Sequence, residues 1–92
     1  MFATIKSATA KSDHTVEITW ENGTRSVVDF TLTIRKGGLF ARLEDVDFFV
    51  NELGVGGDGD WLEWPGDLDF SADSLWYRTH PEEEIPEISA AG

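Results

Sequence analysis

Three observations predict a small α+β domain. An alternating apolar–polar run at residues 14–21 leads through Asn22-Gly23 into a second β-prone run. A single apolar stripe at helical spacing follows at residues 43–53. An aromatic stretch from Trp61 to Tyr77 then reads as strand, Pro65-Gly66 turn, alternating segment and short capped helix. Hairpin-linked strands with one main helix across a face imply an antiparallel sheet, here the N-terminal strand, the hairpin and a later strand.

The elements follow in order. Residues 2–10 are small and β-branched and predict an edge strand, with Lys6 and Lys11 discouraging pairing with other chains. In the next run Val16, Ile18 and Trp20 share one face, and Thr15, Glu17, Thr19 and Glu21 the other. Asn-Gly between such runs is a strong hairpin signal. A two-residue turn sets Trp20 opposite Arg25 and Val16 opposite Asp29. A three-residue loop with Gly23 left-handed sets Val16 opposite Val28 and Trp20 opposite Thr24. The second register gathers more apolar surface on one face and is preferred.

Residues 31–36 continue as extended chain until Gly37-Gly38 breaks it. Leu39, Phe40 and Leu43 lead into the main helix, with Asp45 as N-cap and Glu44 and Asp47 near its positive end. Leu43, Val46, Phe49, Val50 and Leu53 make its apolar stripe, and Gly54 its C-cap. Residues 55–60 form a glycine-rich, flexible acidic loop, and residues 61–64 a strand. After the Pro65-Gly66 turn, Leu68 and Phe70 point together, and Ser71 caps a short helix holding Leu75 and Trp76. Residues 1–78 thus form one domain. Residues 79–92, with Pro81, Glu82-Glu83-Glu84 and Pro86, form an acidic tail expected to be disordered on its own.

Composition narrows the function. The 92 residues contain no cysteine, which removes disulfides, thiolate catalysis and cysteine-based zinc sites. The N-terminus lacks the apolar core of a signal peptide, and no stretch approaches the ~20 apolar residues that cross a bilayer. A cytoplasmic protein is expected. Net charge is −11, unevenly spread: residues 1–42 carry six basic against four acidic side chains and sum to +2, residues 43–92 one against fourteen and sum to −13. Such an acidic half repels nucleic acid and anionic lipid. It serves solubility, and it would also steer a basic protein partner.

The motifs with chemical associations dissolve in context. Gly54, Gly56 and Gly59 spell G-x-G-x-x-G, yet they follow a helix and precede a strand, the reverse of the dinucleotide fingerprint, and Asp58 and Asp60 would repel a pyrophosphate. Asp58, Asp60, Glu63, Asp67, Asp69 and Asp73 suggest calcium, but with Asp58 first the required glycine of an EF-hand loop falls on Glu63. No metal or cofactor is expected. Spacing alone does not exclude a triad, because triads assemble in space, but His14 starts an exposed strand and His80 lies in the loose tail, which argues against hydrolase chemistry. Asn22-Gly23-Thr24 is a turn before it is a glycosylation signal. Arg25, Arg35, Lys36 and Arg42 either gather as a small patch or answer the protein's own acidic half.

Four tryptophans are hard to hide in so short a chain, so Trp61 or Trp76 is expected to stay partly exposed, where an indole serves as a contact anchor. The candidate partner-binding residues are Trp61, Trp64, Asp67, Asp69 and Trp76.

In order, Trp20-Glu21-Asn22-Gly23, Val28-Asp29-Phe30, Gly38-Leu39-Phe40-Ala41-Arg42-Leu43, Phe48-Phe49, Trp64-Pro65-Gly66-Asp67-Leu68-Asp69-Phe70 and Leu75-Trp76 resemble the bacterial domain-of-unknown-function family 2442 over about residues 3–78. The resemblance implies a compact α+β domain with no catalytic residues to carry over. Some relatives resemble accessory halves of small operons, including toxin–antitoxin-like pairs, and some are joined to a helix-turn-helix domain, for which this chain has no room. The resulting expectation is a non-enzymatic protein-binding or regulatory module, antitoxin-like or accessory to a basic partner. The alternative is a homodimeric ligand-sensing or transcription-related domain without its own DNA-binding motif.

Overall fold

The structure, a computed structural model, describes residues 3–80. Among them the order is β1 (Ile5–Ala10), β2 (Thr15–Trp20), β3 (Arg25–Asp29), α1 (Thr31–Arg35), a 3-10 helix (Gly38–Glu44), α2 (Val46–Asn51), β4 (Gly54–Gly56), β5 (Trp61–Trp64), β6 (Leu68–Ser71) and α3 (Ala72–Thr79). The class is α+β. The strands form two antiparallel three-stranded sheets, β1-β2-β3 and β4-β5-β6, so the later strands pair with one another instead of extending the first sheet.

The first hairpin takes the three-residue register: Val16 lies opposite Val28, the Trp20 amide donates to Thr24 O, and Gly23 has φ 89°. That register puts Val16, Ile18, Trp20 and Val28 on the buried face. It also buries Ser26, whose hydroxyl accepts the Trp20 indole N–H at 2.8 Å.

Residues 31–35 are helical, not extended. Phe30, Thr33 and Ile34 fall three and four apart and turn inward, leaving Leu32 exposed. Asp29 starts the turn by accepting the Thr31 amide at 2.9 Å. Thr31, Thr33 and Ile34 together cost a helix at most about 2 kcal/mol, a penalty that the burial of Thr33 and Ile34 against the core opposes.

Asp45 caps α2 by accepting the Phe48 amide, but the expected stripe is only partly inward. Leu43 is buried in the preceding 3-10 helix and Phe49 in α2, whereas Val46 and Val50 are exposed. The helix ends at Asn51, with Glu52 as its C-cap, and Gly54 opens a strand instead. The expected flexible loop is therefore β4 and a tight turn. Its glycine-rich sequence hides the strand, because the pairing comes from β5: Gly54 opposite Glu63, Gly56 opposite Trp61.

Ser71 caps α3 through the Ser74 amide, and the helix continues through Thr79. The His80 ring stacks on Trp76 at 3.8 Å, and its Nδ1–H donates to Trp76 O, so Thr79 and His80 belong to the folded unit and not to the tail. Residues 81–92 lie outside the described residues. One core joins both sheets, with Trp20, Phe30, Leu43, Phe49, Leu62, Leu68 and Leu75 fully buried. Aromatic rings dominate it: Phe49 stacks on Trp64 at 5.2 Å, and Phe30 meets Trp64 and Phe70 edge-on.

Candidate functional site

The second sheet sorts its side chains by strand alternation. Leu62, Trp64, Leu68 and Phe70 turn inward, while Trp61, Glu63, Asp69 and Ser71 turn outward. Trp61 lies opposite Ser71 and Glu63 opposite Asp69. The outward positions of β4 are glycines. The Trp61 indole lies across Gly56, where a Cβ would collide with the ring. Its N–H donates to Glu63 Oε1 at 2.6 Å, which locks the ring in place while its outer surface stays partly exposed.

The outward face continues into an open cleft of about 330 Å³ lined by Glu52, Gly54, Glu63, Pro65, Gly66 and Asp67 over the buried Trp64. Asp67 adopts φ 65° in the β5–β6 turn, a conformation Asp tolerates better than most residues. Arg42 packs beside Gly66 of that turn. Its guanidinium sits 4.8 Å from the Phe48 ring centre and donates weakly to Pro65 O at 3.5 Å. Two other hollows, of about 480 and 190 Å³, are lined by arginine and acids together: Arg42, Glu44 and Asp45 in one, Arg35 and Glu44 in the other.

Glu63 directly opposite Asp69 is an electrostatic cost. Like charges facing across an antiparallel pair destabilise it by up to about 1 kcal/mol, and both side chains are exposed. A cation set between them would remove that repulsion. Among the described residues no three His, Asp or Glu side chains come close enough to share one metal ion. Both carboxylates are exposed and open to a cationic side chain, and the adjacent indole offers a cation a ring face.

The five expected contact residues separate. Trp61 and Asp69 share the outward face, and Asp67 lines the adjoining cleft. Trp64 is 2 % exposed, with its indole N–H given to Phe49 O at 2.9 Å, and Trp76 is 7 % exposed, wedged edge-on against Trp20. Both are core residues and present no surface to a partner. Glu63, Glu52 and Gly56 were not foreseen. The signal for Glu63 was present, because in a strand it shares a face with Trp61 and Trp64 does not.

The histidines are structural. His14 is half-buried with φ 65°, donates from Nε2 to Glu44 O at 2.9 Å and packs edge-on against Phe49 at 5.2 Å, so it is not a residue of an exposed strand start. Of the basic residues, Arg42 is committed to Phe48 and Pro65, and Arg78 lies 5.5 Å from the Phe30 ring centre.

The chain belongs to the family described as protein of unknown function (DUF2442), whose model matches residues 5–81. No curated protein and no solved structure matches it. Among the described residues no helix is long and apolar enough to cross a membrane.

Proposed function

We propose that this member of the family is a cytoplasmic, non-enzymatic protein-binding module that takes a basic segment of another protein on the outer face of its second sheet. The opposed carboxylates of Glu63 and Asp69 beside the half-exposed Trp61 carry the reading. Glu52 and Asp67 extend the negative surface into the cleft, and the chain's net charge of −11 would steer the encounter. An arginine fits best: its guanidinium pairs with one carboxylate, relieves the other, and stacks on the indole. In a bacterial operon such a module would act as the antitoxin-like or accessory partner of a basic neighbour. The lack of cysteine and the structural engagement of both histidines favour binding over catalysis.

The test is a titration with an arginine-rich peptide, followed at the Trp61 indole N–H by NMR. The expected result is a salt-sensitive shift confined to Trp61, Glu63 and Asp69, weakened about tenfold when Glu63→Gln and Asp69→Asn are combined. A peptide that leaves Trp61 unmoved, or binds the double variant equally well, rules the reading out. So does tight, salt-sensitive binding of DNA or RNA.

A further inference from the structure

The first sheet has one protected edge and one open edge. On β1 the register is irregular between Ile5 and Ser7, Lys6 projects, and the Ile5 amide is already used by Gly59 O. Bulges, lysines and covering chain are the usual means of stopping edge strands from pairing. Among the described residues β3 carries no bulge and no lysine, and its one strand neighbour is β2.

The ladder phase shows which groups β3 presents. The Trp20 amide donates to Thr24 O and the Phe30 amide to His14 O, so Thr24, Ser26, Val28 and Phe30 turn their backbone groups toward β2. The N–H and C=O groups of Arg25, Val27 and Asp29 therefore point away, along the open edge. The side chains of the same three residues are exposed, with Val27 at 59 %.

Those three residues are symmetric in charge about Val27: a cation two residues before it, an anion two residues after. We propose that β3 is a homodimerisation edge, pairing antiparallel with β3 of a second copy about a two-fold axis at Val27. Val27 then faces its own copy, and each Arg25 faces Asp29 of the other chain. All are hydrogen-bonded pairs, because their backbone groups already point outward. The two three-stranded sheets become one continuous sheet, and the contact is isologous, so it closes at two copies. Cross-strand opposite charges stabilise such a pairing, whereas a parallel or shifted register sets like charges together or leaves both unpaired. The contact is small, so the dimer should be weak and dependent on concentration. It lies on a different sheet from the proposed partner face.

Sedimentation equilibrium of the full chain from about 10 µM to about 1 mM tests this, a range suited to weak association. The expected result is a monomer–dimer equilibrium weakened about tenfold or more by Arg25→Asp, and likewise by Val27→Lys, which sets two ammonium groups on the axis. Circular dichroism checks that each variant is folded. Arg25→Asp mixed with Asp29→Arg should form a heterodimer tighter than either variant with itself. In the wild type, hydrogen exchange at the amides of Arg25, Val27 and Asp29 should slow as concentration rises. A monomer throughout the range, a dimer indifferent to Arg25→Asp and Val27→Lys, or variants that fail to complement would each overturn the proposal.

Discussion

Ser26 shows how much a single hydroxyl can carry. It is buried, accepts the Trp20 indole N–H at 2.8 Å and lies 3.2 Å from the Thr79 hydroxyl, so it links the first hairpin to α3. Ser26→Ala strands that indole N–H in the core and should cost about 1–3 kcal/mol by denaturant unfolding. The tryptophans should divide sharply. Trp64→Ala removes a ring stacked on Phe49 and leaves Phe49 O without its donor, at a cost of about 3–5 kcal/mol. Trp61→Ala uncovers Gly56 on a solvent-facing surface and should stay within about 1 kcal/mol. Hydrophobicity does not distinguish these two indoles. Their separation of three residues within one strand does, since it sends them to opposite faces.

At the scale of elements, what was legible is what local chemistry decides. Asn22-Gly23 specifies the hairpin, Asp45 and Ser71 their helix starts, and Pro65-Gly66 the second turn. What was hidden is what the rest of the fold decides. α1 is helical although rich in β-branched residues, because Thr33 and Ile34 have a core to enter, and β4 is a strand only because β5 lies beside it. The start of α1 yields a pH prediction. Thr31, through its hydroxyl and then its amide, holds the Asp29 carboxyl below the ordinary carboxylate range. A lowered folded-state value means stability that is present above the unfolded value, near about 3.9, and lost as pH falls through the folded one. Asp29→Ala should therefore be less stable than wild type at neutral pH, and the gap should close in acid below about pH 4. Thermal melts of dilute protein across that range measure it. Asp13, lowered chiefly by the Thr15 hydroxyl ahead of β2, should behave in the same sense.

At the scale of the molecule, neither three-stranded sheet has enough core to stand by itself, and each strand has only three to six residues. They are tied by bonds between segments far apart in sequence: the Ile5 amide to Gly59 O at 2.9 Å, and the Ala3 amide to the Asp73 side chain, Oδ1, at 3.0 Å. Gly59 is the tightest point of that join. It has φ 94°, and a Cβ there would run into the carbonyl of Ile5, which is backbone and cannot swing aside. Gly23 has nearly the same φ, 89°, but faces open space. The two alanine substitutions therefore separate strain from collision. Gly23→Ala pays for the left-handed backbone alone, about 1–2 kcal/mol. Gly59→Ala adds the forced separation of the sheets and should lose at least about 1 kcal/mol more. If the sheets share one core, far-UV circular dichroism and tryptophan fluorescence will report a single coincident transition in both variants, shifted further for Gly59→Ala. Two transitions, or equal losses at the two glycines, would mean that the join at Gly59 does not hold the halves together.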